Sequence, residues 1–200
     1  EYLKLGSLYN AKTILLGMNP GPWGMAQCGI PFGATKVATE LLGISGIEVF
    51  QPLRAHPNRP VIGLEMTRQE VSGTRLWTAL AQRYGSAENI LSMVFVVNHC
   101  PLLLLDENGR NITPDKLSGQ AVTDLMSACD EHLREVVEIL AAERIIGVGK
   151  YAQKRALQTF PNHRNDGIEI SSIWHPSPAS PLANRNDGAD WRENIFAELP

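Results

Sequence analysis

The sequence lacks most of the features that place a chain quickly. Its three cysteines, Cys28, Cys100 and Cys129, make no C-x-x-C pair. Neither a zinc site nor an iron–sulfur cluster is therefore signalled, and a reducing compartment is the simple reading. No apolar run is long enough to span a bilayer, and no signal peptide opens the chain. The expectation is an intracellular protein without membrane contact, cytoplasmic in a bacterium or nuclear in a eukaryote. Positive charge is not in excess: 18 Lys and Arg against 21 Asp and Glu leave a net charge of −3. Any binding of a polyanion must then rest on a local stripe. There is no internal repeat and no low-complexity tract. The loop motifs hold no acidic cluster of the kind a metal needs, so neither metal nor cofactor is expected. The chain opens at Glu1 and not at Met, and an N-terminal piece is expected to precede it.

What the sequence does contain is a regular alternation. Two hundred residues, 44% of them hydrophobic, suffice for one sizeable core, and 1–200 reads as one domain, expected as a monomer. Four short apolar runs, at 13–18, 93–98, 144–148 and 168–174, read as buried strands. Helical patterns lie between them. Ser118 is the expected N-cap of a helix whose apolar positions Val122, Leu125, Met126, Cys129, Leu133, Val136, Val137 and Leu140 recur at helical spacing. That spacing makes Cys129 a core residue. Leu76, Trp77, Leu80, Ala81 and Tyr84 mark a second helix, stopped by Gly85. Shorter helices fall at 35–42, 150–160 and 191–199, while 49–65 and 176–190 look irregular. Strands alternating with helices imply an α/β fold, a parallel sheet with helices on both faces.

Each strand runs into an unusual polar or glycine-rich loop: GMNPGP at 17–22, NHCP at 98–101, GVGK at 147–150 and HPSP at 175–178. In a parallel sheet all the C-terminal strand ends share one edge, where ligands bind, so the four segments should converge. Pro20 and Pro22 fix φ while Gly21 and Gly24 take shapes closed to other residues, which makes the first loop a rigid frame for Asn19. Asn98 either caps a turn or offers an acceptor and donors together to the edge of a nucleobase. His99 and Cys100 read as spacers. His175, ahead of a rigid Pro-Ser-Pro, is suited to donate a hydrogen bond to a developing anion. Phe32 reads as core on the residues alone, with a platform under a flat ring as its other use. Lys150 opens a helix and is able to hold a phosphate there, although a helix start needs no ligand. The basic residues Arg54, His56, Arg59, Lys150, Lys154, Arg155, His163, Arg164 and Arg185 gather around loops. Most are read as solvated surface and some as facing a backbone.

These residues resemble a known family. GMNPGPWGMAQ at 17–27, IPFG at 30–33, the segment from Gly63-Leu64-Glu65 through Glu70-Val71-Ser72-Gly73, NHCPLL at 98–103, GRNITP at 109–114, GVGK at 147–150 and HPSP at 175–178 are similar, in order, to the single-strand-selective monofunctional uracil-DNA glycosylases. The resemblance covers nearly the whole chain. It implies a three-layer sandwich, a central four-stranded parallel sheet flanked by helices. It also implies a hydrolase that flips a uracil-type base out of single- or double-stranded DNA and cuts its N-glycosidic bond without cutting the backbone. Carried onto this chain, Phe32 matches the aromatic that stacks on the base. Asn98 matches the amide that reads uracil at N3 and O4, and His175 the donor to O2 as the base leaves as an anion. Asn19 matches the group that positions water, and Met18 helps to hold the base through its backbone. A neutral amide at 19 takes no proton near neutral pH, so base departure should run ahead of water attack. Gly21 stands where the uracil-strict relatives carry a bulky aromatic, which implies room for 5-hydroxymethyluracil and hence for oxidised or deaminated bases. DNA contacts are expected from Lys150, Ser177, Pro178, Ala179, Ser180, Asn184 and Arg185.

The chain departs from the family in two places. There HPSP is followed by an Arg-Asn pair and a Pro, whereas here Ala179-Ser180 precede Pro181; extra residues also fill 185–190. This segment is the expected wedge into the duplex, and its altered tip makes single-stranded DNA the easier substrate. A stretch that the family carries ahead of Tyr2 is missing, so a shortened first helix is expected. Two other readings stand beside the glycosylase. One is a catalytically weak damaged-base binding protein of the same fold. The other is an α/β nucleotide or sugar-phosphate hydrolase, which would need acidic metal ligands.

Overall fold

Continuous apolar runs become strands when both faces are covered, and Ile14, Leu15, Leu16, Val96, Ile145 and Ile146 are each wholly buried. The computed structural model describes residues 1–53 and 55–200; Arg54, one of the basic residues noted above, lies outside them. The strands are β1 (Thr13–Gly17), β2 (Val94–Asn98), β3 (Arg144–Val148) and β4 (Glu169–Ile173), the four expected runs trimmed by at most one residue at an end. The expectation of burial fails for β4, an edge strand in which only Ile173 is buried. They pair in parallel in the order β2-β1-β3-β4. In this register Gly17 lies opposite Asn98, and Leu16 lies between Val97 and Gly147. All four C-terminal ends therefore share one edge.

The helices are α1 (Tyr2–Ser7), α2 (Met25–Cys28), α3 (Val71–Tyr84), α4 (Ala87–Met93), α5 (Gln120–Leu140), α6 (Lys150–Thr159) and α7 (Ala189–Glu198). Helices flank the sheet: α3 packs with α4 and α7, α7 rests on β4, and α6, backed by α5, packs on β3 and β4. Among the described residues no helix is long and apolar enough to cross a membrane. Tyr2 closes the edge of β2: its hydroxyl donates to Val96 O at 3.0 Å and accepts from Val96 N at 3.1 Å. Its ring stacks on Phe95 with centroids 5.1 Å apart.

Several local expectations need correction. The N-cap of α5 is Gly119, at φ 102°, and not Ser118. A left-handed entry excludes side chains, so the chain relies there on glycine instead of a hydroxyl cap. The 35–42 helix is a π-helical turn, Val37–Leu41. The 176–190 stretch is partly ordered into short helical turns within Leu182–Gly188, interrupted at Arg185, Asn186 and Asp187 where the backbone leaves helical angles. The helix α4 is not foreshadowed by the sequence, because seven residues show little periodicity; Ser86 caps it by accepting from Asn89 N at 3.2 Å. Gly85 does end α3, at φ 83°, as its position implied.

Candidate active site

At the shared C-terminal edge lies a cavity of about 290 Å³. Met18, Asn19 and Gly21 reach it from the end of β1, Asn98 from β2, and His175 and Ser177 from β4. Three of the four loops thus converge. The fourth supports from behind: a Cβ on Gly149 would come within 3.2 Å of the His175 Cβ. Lys150 is exposed, donates to Gln153 Oε1 at 3.3 Å, and is not part of the cavity wall.

The sheet brings Asn98 and Phe32 together over Gly17. A Cβ at Gly17 would overlap both Asn98 Oδ1 and the Phe32 ring. Phe32 itself is half-buried at the cavity and adopts φ 53°. A left-handed non-glycine residue costs about 1–3 kcal/mol and persists only where its surroundings impose it. Here α3 does so. Trp77 Nε1 donates to Pro31 O at 3.2 Å, and any side chain at Gly73 would collide with the Phe32 carbonyl. The Phe32 ring lies 5.8 Å from that of His175, tilted by 47°, so the core assignment made from the residues alone gives way to an aromatic wall.

Asn98 is 3% exposed, yet its Oδ1 has no hydrogen-bond partner. Its Nδ2 donates to Met25 Sδ at 3.2 Å, a weak acceptor that is readily given up. A buried acceptor without a partner carries a cost of about 1–3 kcal/mol, which a ligand offering an N–H to Oδ1 and an oxygen to Nδ2 removes. His175 has a fixed tautomer. Its Nδ1 accepts from Ser177 N–H at 3.1 Å, so the ring proton sits on Nε2. Burial pushes its pKa below the usual histidine value, which keeps the ring a neutral donor near pH 7. The Nδ2 of Asn19 turns to Pro20 O at 3.3 Å, Asn111 Oδ1 at 3.4 Å and Ile112 O at 3.4 Å. That leaves Oδ1 as an acceptor for water.

Behind this front, Glu70 caps α3, its carboxylate accepting from the backbone of Ser72 at 3.1 Å and of Gly73, while also facing the cavity. Asn111 and Thr113, from the GRNITP segment, complete the wall. Nothing in the sequence alone marks Glu70, Ser72, Asn111 or Thr113 as site residues, although each falls within a motif that carries the family resemblance.

The loop after His175 is braced from within. Arg75 donates to Pro176 O at 3.1 Å and to Asn184 Oδ1 at 3.0 Å, and Asn184 Nδ2 donates to Pro178 O at 2.7 Å. Both ends of the Asn184 amide are thereby occupied, which makes it a brace rather than an outward contact. Ser177 Oγ accepts from Ala179 N at 3.2 Å, and Ser180 N donates to Ser177 O at 2.9 Å. Pro178 and Ala179 are exposed and Ser180 is half-buried. Arg185 pairs with Asp190 at 3.1 Å.

His99 is more than a spacer. Wholly buried, it donates from Nε2 to Asp130 Oδ1 at 2.8 Å and accepts at Nδ1 from the Tyr151 hydroxyl at 3.2 Å. Burial lowers its pKa and outweighs the opposing effect of its hydrogen bond to Asp130, so this contact is a neutral donor meeting a carboxylate. Burial alone would raise Asp130, but hydrogen bonds from His99, Arg155 and Thr159 together bring it below the usual carboxylate range. Its neighbour Cys100 is buried, as is Cys129, whose thiol burial pushes up to about 12. Among the described residues no three His, Cys, Asp or Glu side chains gather as a metal would require.

An unsatisfied amide, a neutral imidazole donor and an aromatic wall thus meet in one cavity at the edge of a parallel α/β sheet. The chain belongs to the uracil DNA glycosylase superfamily, whose model matches residues 3–199. Within it, the chain is similar to the single-strand selective monofunctional uracil DNA glycosylases of Bos taurus, at 41% identity, and of Rattus norvegicus, at 40%. Both matches run over 184 residues and cover 92% of this chain, and they take in 67% and 66% of the relatives. The chain thus spans about two thirds of their length. The crystal structure of Pedobacter heparinus SMUG2 matches with a TM-score of 0.66 at 18% identity, over 95% of this chain and 73% of that one. That likeness concerns the fold.

Proposed function

We propose that this chain is a DNA base-excision repair enzyme that takes a flipped uracil into the cavity, hydrolyses its N-glycosidic bond and leaves an abasic site with the backbone intact. The observation that carries the reading is the buried, unpartnered Oδ1 of Asn98 beside a neutral histidine donor. Uracil presents N3–H to Oδ1 and O4 to Nδ2, which replaces the weak sulfur contact. The Phe32 ring gives the base a face to stack on. As the bond to the sugar lengthens, negative charge grows on the base, and His175 Nε2–H is the donor proposed for O2. Asn19 Oδ1 orients the water that traps the sugar cation; as a neutral amide it removes no proton early.

Substrate breadth follows from Gly21. Its Cβ position meets nothing within 4 Å, so 5-hydroxymethyluracil is accepted alongside uracil. A thymine methyl is poorer because it displaces water without replacing its hydrogen bonds. The exposed tip at Pro178 and Ala179 is the part of the braced loop that meets DNA, and single strands, which need no opening, are the easier substrate. The protein acts inside the cell, as a monomer.

The test is base release from oligonucleotides carrying uracil or 5-hydroxymethyluracil, with Asn98→Ala and His175→Leu as controls. Release of both bases, abolished in the controls, is the expected result. Tight binding of the damaged base with no release would replace the enzyme by a damage-binding protein of the same fold.

A further inference from the structure

We propose that Arg59 and Arg68, held over the ring of Trp23 at the rim of the cavity, form a clamp for the phosphodiester backbone next to the flipped nucleotide. The inference rests on the glycosylase reading for its ligand, but not on any step of the chemistry.

The guanidinium carbons of Arg59 and Arg68 lie 4.7 and 4.6 Å from the Trp23 ring centroid. Trp23 sits between Gly21 and Gly24, which both line the cavity. Arg68 is two residues from Glu70 in the same wall. Arg59 rests on the turn before Asn111: a Cβ on Gly109 would come within 3.3 Å of Arg59 Cγ. The buried Gln27 fastens these segments together, donating to Pro22 O at 2.9 Å and Pro60 O at 3.1 Å and accepting from Ile62 N at 2.9 Å.

What sets these two arginines apart is that both lie over one aromatic ring with no carboxylate paired with them among the described residues. Arg134, Arg144, Arg155 and Arg185 each meet a carboxylate. Among the described residues neither Arg59 nor Arg68 does. The nearby carboxylate of Glu70 is committed to the start of α3. Two like charges over one ring repel each other, and in a chain of net charge −3 that arrangement is sustained by the aromatic face. Stacking holds each guanidinium plane without consuming its N–H groups. Arg59 NH1 donates to Asn58 O at 2.9 Å and its Nε is buried without a partner, so the NH1–NH2 edge is the side of the planar fork that suits phosphate oxygens. With guanidinium over its ring, Trp23 is an orienting surface for cations and not a platform for a base.

The test uses the full chain and a fluorescein-labelled single-stranded oligonucleotide with a tetrahydrofuran abasic site, titrated by anisotropy over a series of NaCl concentrations. Each phosphate no longer neutralised flattens the plot of log K against log salt by about 0.7 on a single strand. Arg59→Gln and Arg68→Gln should each produce that change and the double variant about 1.4, while Arg134→Gln, an equal change of charge on α5, leaves the slope as in the wild type. The double lysine variant keeps the charges but cannot stack in a plane; it should keep the slope and bind more weakly. An unchanged slope in the double Gln variant overturns the clamp. So does a slope that falls equally in the lysine variant, because that marks damage to the fold. A flattened slope in a chain that releases no uracil would leave the clamp standing and remove the glycosylase reading. Normal release with an unchanged slope would do the reverse.

Discussion

The Nδ1 of His175 accepts the backbone N–H of Ser177, two residues further on, at 3.1 Å. One hydrogen bond thus determines the tautomer of the ring, and the Pro-Ser-Pro turn that makes it also carries the exposed loop tip. The electrostatics of the leaving base and the geometry of the loop are joined in a single turn.

Removing the donor should therefore be the costliest change. His175→Leu is expected to lower single-turnover uracil release by about 10²–10³, the usual cost of removing one donor to a developing anion. Asn19→Ala, which removes the acceptor for water together with long contacts to Asn111 and Ile112, should lose at least roughly tenfold less, since base departure runs ahead of attack. Equal losses in a rapid-quench assay would contradict that order of events.

Protonation of His175 would turn an N–H toward Ser177 N–H. Burial holds its pKa below the ordinary 6.5, so release should be level above pH 6.5 and decline only on the acid side. The imidazole nitrogens, followed by nitrogen-15 NMR through that range, should report the Nε2–H tautomer at pH 7. A titration midpoint above 6.5 would be inconsistent with the buried neutral ring.

The His99 network makes a stability prediction. The folded pKa of His99 lies below 6.5. Above pH 6.5 both folded and unfolded states are neutral and this group adds no pH dependence. Below it the unfolded chain takes the proton and the folded one does not, so stability falls as pH drops toward the folded pKa. Replacing His99 with Leu strips partners from Asp130 and Tyr151 and should cost about 1–3 kcal/mol at pH 7.5 in urea unfolding. It should also flatten part of the fall below pH 6.5. A variant with the wild-type pH dependence would mean that another group supplies the slope.

Room at Gly21 should set substrate breadth. Since its Cβ position is open, Gly21→Tyr should fold with stability within about 0.5 kcal/mol of the wild type. It should lose 5-hydroxymethyluracil release by more than about tenfold relative to uracil. Parallel loss of both substrates would place the determinant elsewhere.

Arg75 links the loop to α3. Arg75→Ala should free Pro176 and Asn184, destabilise the chain by roughly 1 kcal/mol given the partial exposure of the contacts, and raise amide hydrogen exchange across 178–187. Unaltered exchange there would show that the loop is held by its own turns.

The sheet and the identity of the loops were legible in the sequence because their causes are local. Four apolar runs of five to seven residues between helical patterns read as strands, and a strand that leads into Asn-Pro-Gly-Pro must end there. Parallel pairing then sends every such end to one edge. The N-cap of α5 was not legible in the same way, because a hydroxyl at Ser118 and a glycine at Gly119 are both entry signals, and only the backbone angle, φ 102°, chooses between them.

By itself the sequence determined the four-stranded α/β frame and the rigid loops, and it put Asn19, Asn98 and His175 at strand ends. Frame and loops follow from burial and chain stiffness, whereas the separate roles of the trio came from the family resemblance. Tertiary structure alone decided how the trio is armed. Asn111 holds Asn19 from 92 residues away, Arg75 holds Pro176 from 101 away, and α3 forces Phe32 into a left-handed turn. Trp23 gathers two arginines that no spacing connects. Such contacts depend on which segments the fold lays side by side, and a hydrogen bond or a stacked ring between distant residues leaves no periodicity in the chain.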